Sequence, residues 1–346
     1  MHPSPFLIRS SKPRLIKAAM HLLLAALCTL ALPCLAISTT GKPLILRSAD
    51  VHPEDYPTVQ AMLFMNQQMQ RASGGRLGIK VFSGGLLGDE APLLQLVQSG
   101  ELDMNRVSIQ ALDSIAPLTR VFSLPYLFRD TDHLHKVLDG PIGREVLDSL
   151  PPHGLIGLAY YDGGSRNIYS SRKPIHKLED MKNLNIRVQP SAMSLSVFDA
   201  LGARPVRLPF ALTGKALSNG LIDAAENNLP SYVSTEHYRH APYLSMTRHT
   251  MSPDVLVMSK ISWDRFSPAD QNIIRKAARD SVKVMREMWK QREDRVEATL
   301  KLAGVQLNEL PTAQLRRFAQ AVQPIYAEYA GLPQQQALIK RIRDTQ

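Results

Sequence analysis

Apolar and polar positions alternate along this chain in two distinct periods, and the periods change places in a regular order. Leu44-Ile45-Leu46 is a short apolar run that reads as a first strand. Residues 58–73 carry apolar positions at helical spacing and stop at Gly74-Gly75, a natural helix terminus. Residues 77–82 return to the two-residue period, with Leu77, Ile79 and Val81 on one face. After the glycine-rich turn Ser83-Gly84-Gly85-Leu86-Leu87-Gly88, Leu93, Leu94, Leu96 and Val97 mark a second helix that ends at Gly100. Strands follow over 101–108 and 155–161. Strands alternating with helices predict an α/β fold.

One segment poses a problem. In 183–191, Leu184, Ile186 and Val188 form an apolar face, while Asn185, Arg187 and Gln189 occupy the other. A guanidinium on a sheet face meets either water or an anion. A short internal echo bears on which: VQSGELD (97–103) and LSNGLID (217–223) share a helix end, a glycine cap and an aspartate, and each leads into polar residues. Two such units predict two similar α/β lobes. A long helix is predicted from the N-cap Ser267, with Pro268 at its first position and Asp270 in its first turn. Its apolar stripe (Ile273, Ile274, Ala277, Ala278, Val282, Met285, Trp289) can run to Leu302. That is roughly 50 Å at 1.5 Å per residue, enough to brace both lobes.

The first 36 residues depart from this pattern. Arg9, Lys12, Arg14 and Lys17 form a basic head without acids, an apolar run covers 18–32, and Cys34-Leu35-Ala36 supplies small residues at a cleavage site. These features read as a secretory signal peptide over 1–36. Both cysteines, Cys28 and Cys34, lie inside it, so the exported chain is expected to lack thiols and disulfides and must bury a large core unaided. Of the net charge of +10, the four leader cations account for four, leaving +6. The remaining cations are dispersed among acids, as in Arg292-Glu293-Asp294-Arg295, without a basic stripe interleaved with aromatics. Nucleic acid is therefore not an expected partner.

The chain has no GxSxG elbow, GxGxxG loop, Walker loop or HExxH motif. His237 and His240 stand three apart beside Glu236, but the spacing reads as a solvated helix face, and no metal is expected. Polar clusters do gather after predicted strands: 49–57 around His52, Asp162 to Asn167 around Arg166, and Glu226-Asn227-Asn228. The ends of strands are where open α/β sheets hold ligands. Arginines, amides and a histidine together suit a hydroxylated small molecule bearing a carboxylate.

Taken together, GGLLGDE (84–90), VFSLPYLFRD (121–130), Arg166 with Lys173-Pro174-Ile175, NIRVQPS, GLIDAAENN and WDRFSPADQ (263–271) resemble the solute-binding proteins of tripartite ATP-independent periplasmic (TRAP) transporters. The segments HPEDYP and AENNLPSY are similar to the branch that binds uronates such as glucuronate and galacturonate. The resemblance implies a two-lobe α/β periplasmic binding protein with an interlobe cleft and a long helix spanning both lobes. On that pattern 37–160 begins lobe 1, 161–250 forms lobe 2, and 251–346 returns to lobe 1 with the long helix and C-terminal helices. It implies that Arg187 meets the ligand carboxylate, that Arg166 and Asn227 assist with Asn228 beside them, and that His52, Glu90 and Arg106 lie where first-lobe contacts fall; Gln189, beside Arg187 on the same strand pattern, is a further candidate contact from the residues themselves. It further implies a periplasmic monomer without cofactor or catalytic residue, whose partners are a small organic acid and membrane permease subunits. Leu212 and Gly214 stand where the family pattern has a glutamate and a tyrosine, and Leu229 replaces an aromatic, so the sugar end of the pocket is expected to differ from its relatives. The competing readings are a periplasmic enzyme acting on uronic acids through His52 with Asp55 or Glu90, and a binding module serving a sensor.

Overall fold

The structure, a computed structural model, describes residues 42–346. The signal-peptide reading of 1–36 lies outside the described residues.

Eleven strands make two sheets among the described residues. The first contains β1 (Leu44–Ala49), β2 (Leu77–Phe82), β3 (Met104–Ser108), β4 (Leu155–Tyr161) and β10 (Asp254–Ser259), in the order β2-β1-β3-β10-β4. Strands β1, β2 and β3 are parallel, while β10 runs antiparallel between β3 and β4. The second sheet contains β5 (Ser165–Ser170), β6 (Asn185–Val188), β7 (Arg204–Arg207), β8 (Ala224–Asn227), β9 (Tyr243–Met251) and β11 (Gln306–Glu309), in the order β11-β9-β5-β8-β6-β7. The two-residue period places successive side chains in different cores. On β10, Val255 and Val257 enter one apolar cluster and Leu256 and Met258 another.

The chain passes between the sheets twice by extended crossings. Strand β4 runs through Asp162-Gly163-Gly164 into β5, and β9 runs through Ser252-Pro253 into β10. The crossings abut so closely that a Cβ on Gly163 would lie 2.0 Å from the carbonyl oxygen of Ser252. Gly164 has φ +65°, and a Cβ there would press the Trp289 ring at 2.7 Å.

The long helix spans Pro268–Leu302, the 35 residues that the sequence pattern outlines, with Ser267 Oγ accepting from Asp270 N. Ile274, Ala277, Ala278, Met285 and Trp289 pack into the core of the first sheet, and Val296 and Leu300 into that of the second. One helix therefore contributes to both cores. It then feeds β11, which pairs parallel with β9 in the second sheet. This departs from the expectation that 251–346 as a whole returns to the first lobe; the helix is long enough to deliver the chain to the far side.

Two predicted strands are shorter than their patterns. In 101–108 the strand starts only at Met104, because the Asp103 carboxylate turns back to accept from Arg47 N at 2.8 Å and Ser262 Oγ at 2.6 Å. In 183–191 it stops at Val188, where Gln189-Pro190 breaks the ladder and Ser191 caps the next helix by accepting from Ser194 N.

Candidate functional site

A cleft of about 580 Å³ opens between the two sheets beside the crossings. That volume suits a small-molecule ligand. All eight residues expected at the site line it or sit in its wall: His52, Glu90, Arg106, Arg166, Arg187, Gln189, Asn227 and Asn228. Three of them are arginines, and their surroundings differ.

Arg106 on β3 is 1% exposed and fully engaged. Its Nε and Nη2 donate to Asp50 at 3.1 and 2.5 Å, Nη1 donates to Glu90 Oε1 at 2.7 Å, and Asp254 Oδ2 lies 3.4 Å from Nη1. Three carboxylates thus converge on one guanidinium. Its charge, together with the His52 hydrogen bond, keeps the Asp50 carboxyl far below the usual range against the opposing effect of burial.

Arg166 on β5 is likewise paired. Its Nε and Nη2 form a fork on the Glu226 carboxylate at 2.5 and 2.8 Å, and Nη1 donates to Asn227 Oδ1 at 3.0 Å. Burial pushes Glu226 up, but Arg166 and His249 outweigh it and hold the carboxyl at about 2. Arg166 is expected to assist Arg187; in this geometry its fork is occupied by Glu226, and its remaining nitrogen reaches Asn227. Asn227 Oδ1 also accepts from Asn228 N at 2.9 Å, so its free Nδ2 is the end left for a ligand.

Arg187 on β6 is the exception. It is 2% exposed, yet among the described residues it forms no ion pair. Its Nε donates to Leu208 O at 2.9 Å and its Cζ lies 5.9 Å from the Phe210 ring centroid. Burial lowers its pKa, while the charge of Glu226 pulls the other way; an arginine nonetheless stays charged. The nearby His237 is buried, with its Nδ1 2.8 Å from Tyr169 Oη, rather than on a solvated helix face as its spacing suggests. Burial, reinforced by Arg187, holds it down at about 4, so it competes for no anion at neutral pH.

Asn228 is spent on structure. Its Oδ1 accepts from Ser231 N at 2.7 Å, capping the helix Leu229–Ser234, and its Nδ2 donates to Gly163 O at 2.8 Å. His52 stacks on Tyr56 at 3.9 Å. Its Nδ1 lies between the donor Arg106 Nη2 at 2.7 Å and the acceptor Asp50 Oδ1 at 3.0 Å, so the ring proton follows whichever of the two it pairs with. Asp50, His52 and Ser231 follow one another at 3.0 and 3.4 Å, the order of a nucleophilic triad. Burial and the Arg106 charge lower the His52 pKa, which weakens the ring as a base, and its 3.4 Å contact with Ser231 Oγ is long for a hydrogen bond. Asp55, the other proposed acid, is exposed and pairs with Arg292 at 2.5 Å on the long helix.

Several wall residues have no counterpart in the sequence reading. Gln110, Asp113, Ser252, Asp254, Asp89 and Phe210 all border the cleft. Gln110 Oε1, Ser252 Oγ and Gln189 Oε1 are buried with no hydrogen-bond partner among the described residues. Gln110 lies just past the end of β3, where the strand-end rule could have found it; Ser252 and Asp254 are brought in only by the crossing. Contacts across the cleft join the lobes: Ser191 Oγ donates to Asp113 Oδ2 at 2.8 Å, Phe210 N to Asp89 Oδ2 at 3.3 Å, and Tyr56 Oη meets Ser231 Oγ at 2.9 Å.

The site therefore presents one buried guanidinium without an ion pair, the less buried Arg120 and Arg207 at its edge, the donor Asn227 Nδ2, the His52 ring, and unpaired amide and hydroxyl oxygens on both lobes. It can hold a single carboxylate attached to a hydroxylated body.

Known proteins match the chain and its fold. Residues 48–332 match the family described as bacterial extracellular solute-binding protein, family 7. A crystal structure of a TRAP periplasmic solute-binding protein from Bradyrhizobium sp. BTAi1, in complex with α/β-D-galacturonate, is 47% identical with a TM-score of 0.85, covering 87% of this chain and 100% of its own. One from Pseudomonas putida F1 with bound D-glucuronate is 35% identical with a TM-score of 0.84, covering 88% and 98%. A solute-binding protein of Chromohalobacter salexigens is 31% identical over 312 residues, 90% of this chain and 92% of its own.

Proposed function

Because the chain belongs to the bacterial extracellular solute-binding protein family 7, we propose that it captures a uronate, D-galacturonate or D-glucuronate, in the cleft and delivers it in the periplasm to the permease of a TRAP transporter. The observation that carries this reading is Arg187: a nearly buried cation in the cleft, without a carboxylate of its own among the described residues. Leaving a guanidinium buried and unpaired is costly unless an anion arrives. The sugar-acid relatives supply the class of anion.

The ligand carboxylate pairs with the Arg187 fork, and its hydroxyls donate to Gln189 Oε1 and Gln110 Oε1 while accepting from Asn227 Nδ2. Since these groups come from both lobes, the ligand prefers the closed state and shifts the population toward it. No catalytic role is assigned: burial and the Arg106 charge weaken His52 as a base, and the relatives are solute-binding proteins.

Isothermal calorimetry with D-galacturonate and D-glucuronate tests the reading. Wild-type protein is expected to bind at least one of them and return it intact by mass spectrometry. R187A is expected to lose most of the affinity, with R187K restoring only part, because an ammonium lacks the planar fork. Equal affinity in all three proteins would remove Arg187 from the site; product in the recovered ligand would make the protein an enzyme.

A further inference from the structure

We propose that Asp254 stands in the cleft wall as a neutral carboxylic acid, and that its proton is a determinant of ligand binding, retained or taken up when the acid enters. The inference rests on the reading that the cleft takes a carboxylate, and it concerns a residue outside the Arg187 end of the site.

The argument starts from the unequal shares of one guanidinium. Asp50 accepts from Arg106 twice, from His52 N at 2.9 Å and from Thr58 Oγ1 at 2.9 Å. Glu90 accepts from Arg106 Nη1 at 2.7 Å and from Ser108 N at 3.3 Å. Asp254 has only a 3.4 Å contact to the nitrogen that Glu90 already holds, and no other donor among the described residues. It is 7% exposed. One positive charge cannot neutralise three carboxylates, and the least satisfied of them, buried without donors, keeps its proton.

The groups around it act in the same sense. Glu90 from the helix Glu90–Ser99 and Asp50 at the end of β1 add to burial in raising Asp254; Arg106 on β3 and Arg166 on β5 oppose them, and the balance stands at about 8. Burial and the Arg106 charge lower the His52 pKa and keep the ring neutral, and Tyr161, opposite on β4, and Tyr56 are phenols pushed well above neutral pH by burial. Asp254 is also the first residue after the Ser252-Pro253 crossing. As a neutral acid it offers an O–H donor to a ligand oxygen. Ionised, it places a negative charge in the pocket that must accept an anion.

Calorimetry with D-galacturonate, run in buffers of different ionisation enthalpy from about pH 6 to about pH 9, decides the matter. The expected result is almost no proton uptake near pH 6, approaching one proton near pH 9, with the Kd rising toward tenfold per pH unit above about pH 8. D254N is expected to abolish the uptake and flatten that limb. E90Q, by removing a neighbouring negative charge, is expected to move the limb to lower pH, and decides the case if D254N does not fold. Melting of the ligand-free protein supplies an arm independent of the ligand: stability falls as pH rises through the Asp254 range, because a raised folded-state pKa favours folding only while the proton is held, and D254N removes the part of that fall between about pH 7 and about pH 8, above the range of Asp113. The melting response without binding of either galacturonate or glucuronate would sink the uronate reading and leave the Asp254 proton standing. Proton-free binding, an unchanged limb in D254N, or loss of the limb in E90Q alone (which would put the proton on Glu90) each overturns the proposal.

Discussion

The two halves of this protein are built on the same unit and use it to opposite ends. In each, three parallel strands lie with the first in the middle: β2-β1-β3 in one sheet, β7-β6-β8 in the other. In each, an aspartate just ahead of the third strand accepts from a backbone N–H of the first, Asp103 from Arg47 at 2.8 Å and Asp223 from Asn185 at 3.0 Å. The third residue beyond that aspartate is a buried charge, Arg106 in one half and Glu226 in the other. Each finds its counter-ion inside the cleft wall. The difference lies one strand over. Ala49, paired in register with Asn105, is inert, whereas Arg187, paired in register with Ala225, adds a second cation for which no carboxylate remains. The comparison teaches that a buried arginine is scaffold when its fork is filled and a binding group when it is not.

The comparison can be broken most severely at Arg106. R106M strands Asp50, Glu90 and Asp254 together without a cation, and is expected to cost about 3–5 kcal/mol of stability in urea unfolding. R187A should do the reverse of this, leaving unfolding nearly unchanged while weakening uronate binding by about 2–5 kcal/mol, roughly 30- to 5,000-fold by calorimetry. If both variants lost stability alike, the distinction between filled and unfilled forks would be wrong. A smaller effect is expected from N227A, about 1–3 kcal/mol of affinity, since it removes one donor but leaves the Arg166–Glu226 pair in place.

The pH response sharpens the contrast further. Glu226 is held at about 2, below its ordinary value, so its pairing stabilises the fold at neutral pH and that stability is lost as pH falls from about 4.5 through 2. Asp113 is the opposite case. Burial raises it to about 7 despite its hydrogen bonds from Ser191 and Ser123, so its contribution is present at low pH and is lost as pH rises from about 4 through 7. Unfolding followed across that range should therefore show E226Q losing the acid limb and D113N losing the neutral one. Identical profiles for wild type and D113N would mean that the cross-cleft bond to Ser191 carries no proton.

Much of the scaffold was legible in the chain. Strands β2 and β4 and the long helix start and stop where periodicity and capping residues say, because those signals are local: an alternation of two, a Ser-Pro start, an apolar stripe. The echo of VQSGELD and LSNGLID was readable as a repeated unit, and Gly100 and Gly220 do take the left-handed conformation at φ 82° and 69°. The question posed by Arg187 was also local, since a cation on a strand face announces itself. Its neighbours were not legible in the same way. Arg106, Arg166 and Arg187 look alike as letters, and Asn227 and Asn228 are adjacent and chemically identical, yet one caps a helix while the other turns an N–H₂ toward the cleft.

What the sequence determined by itself is the order and type of elements and the supply of charges, because hydrophobic period, caps and turns act over a few residues. What only the tertiary structure decided is which charge is left over. Asp50 meets Arg106 across 56 positions and Arg166 meets Glu226 across 60, while Asp254 and Ser252 reach the cleft only because the second crossing runs against the first at Gly163. Charge compensation depends on distance and burial in space, and those exist only once the two sheets have been brought together.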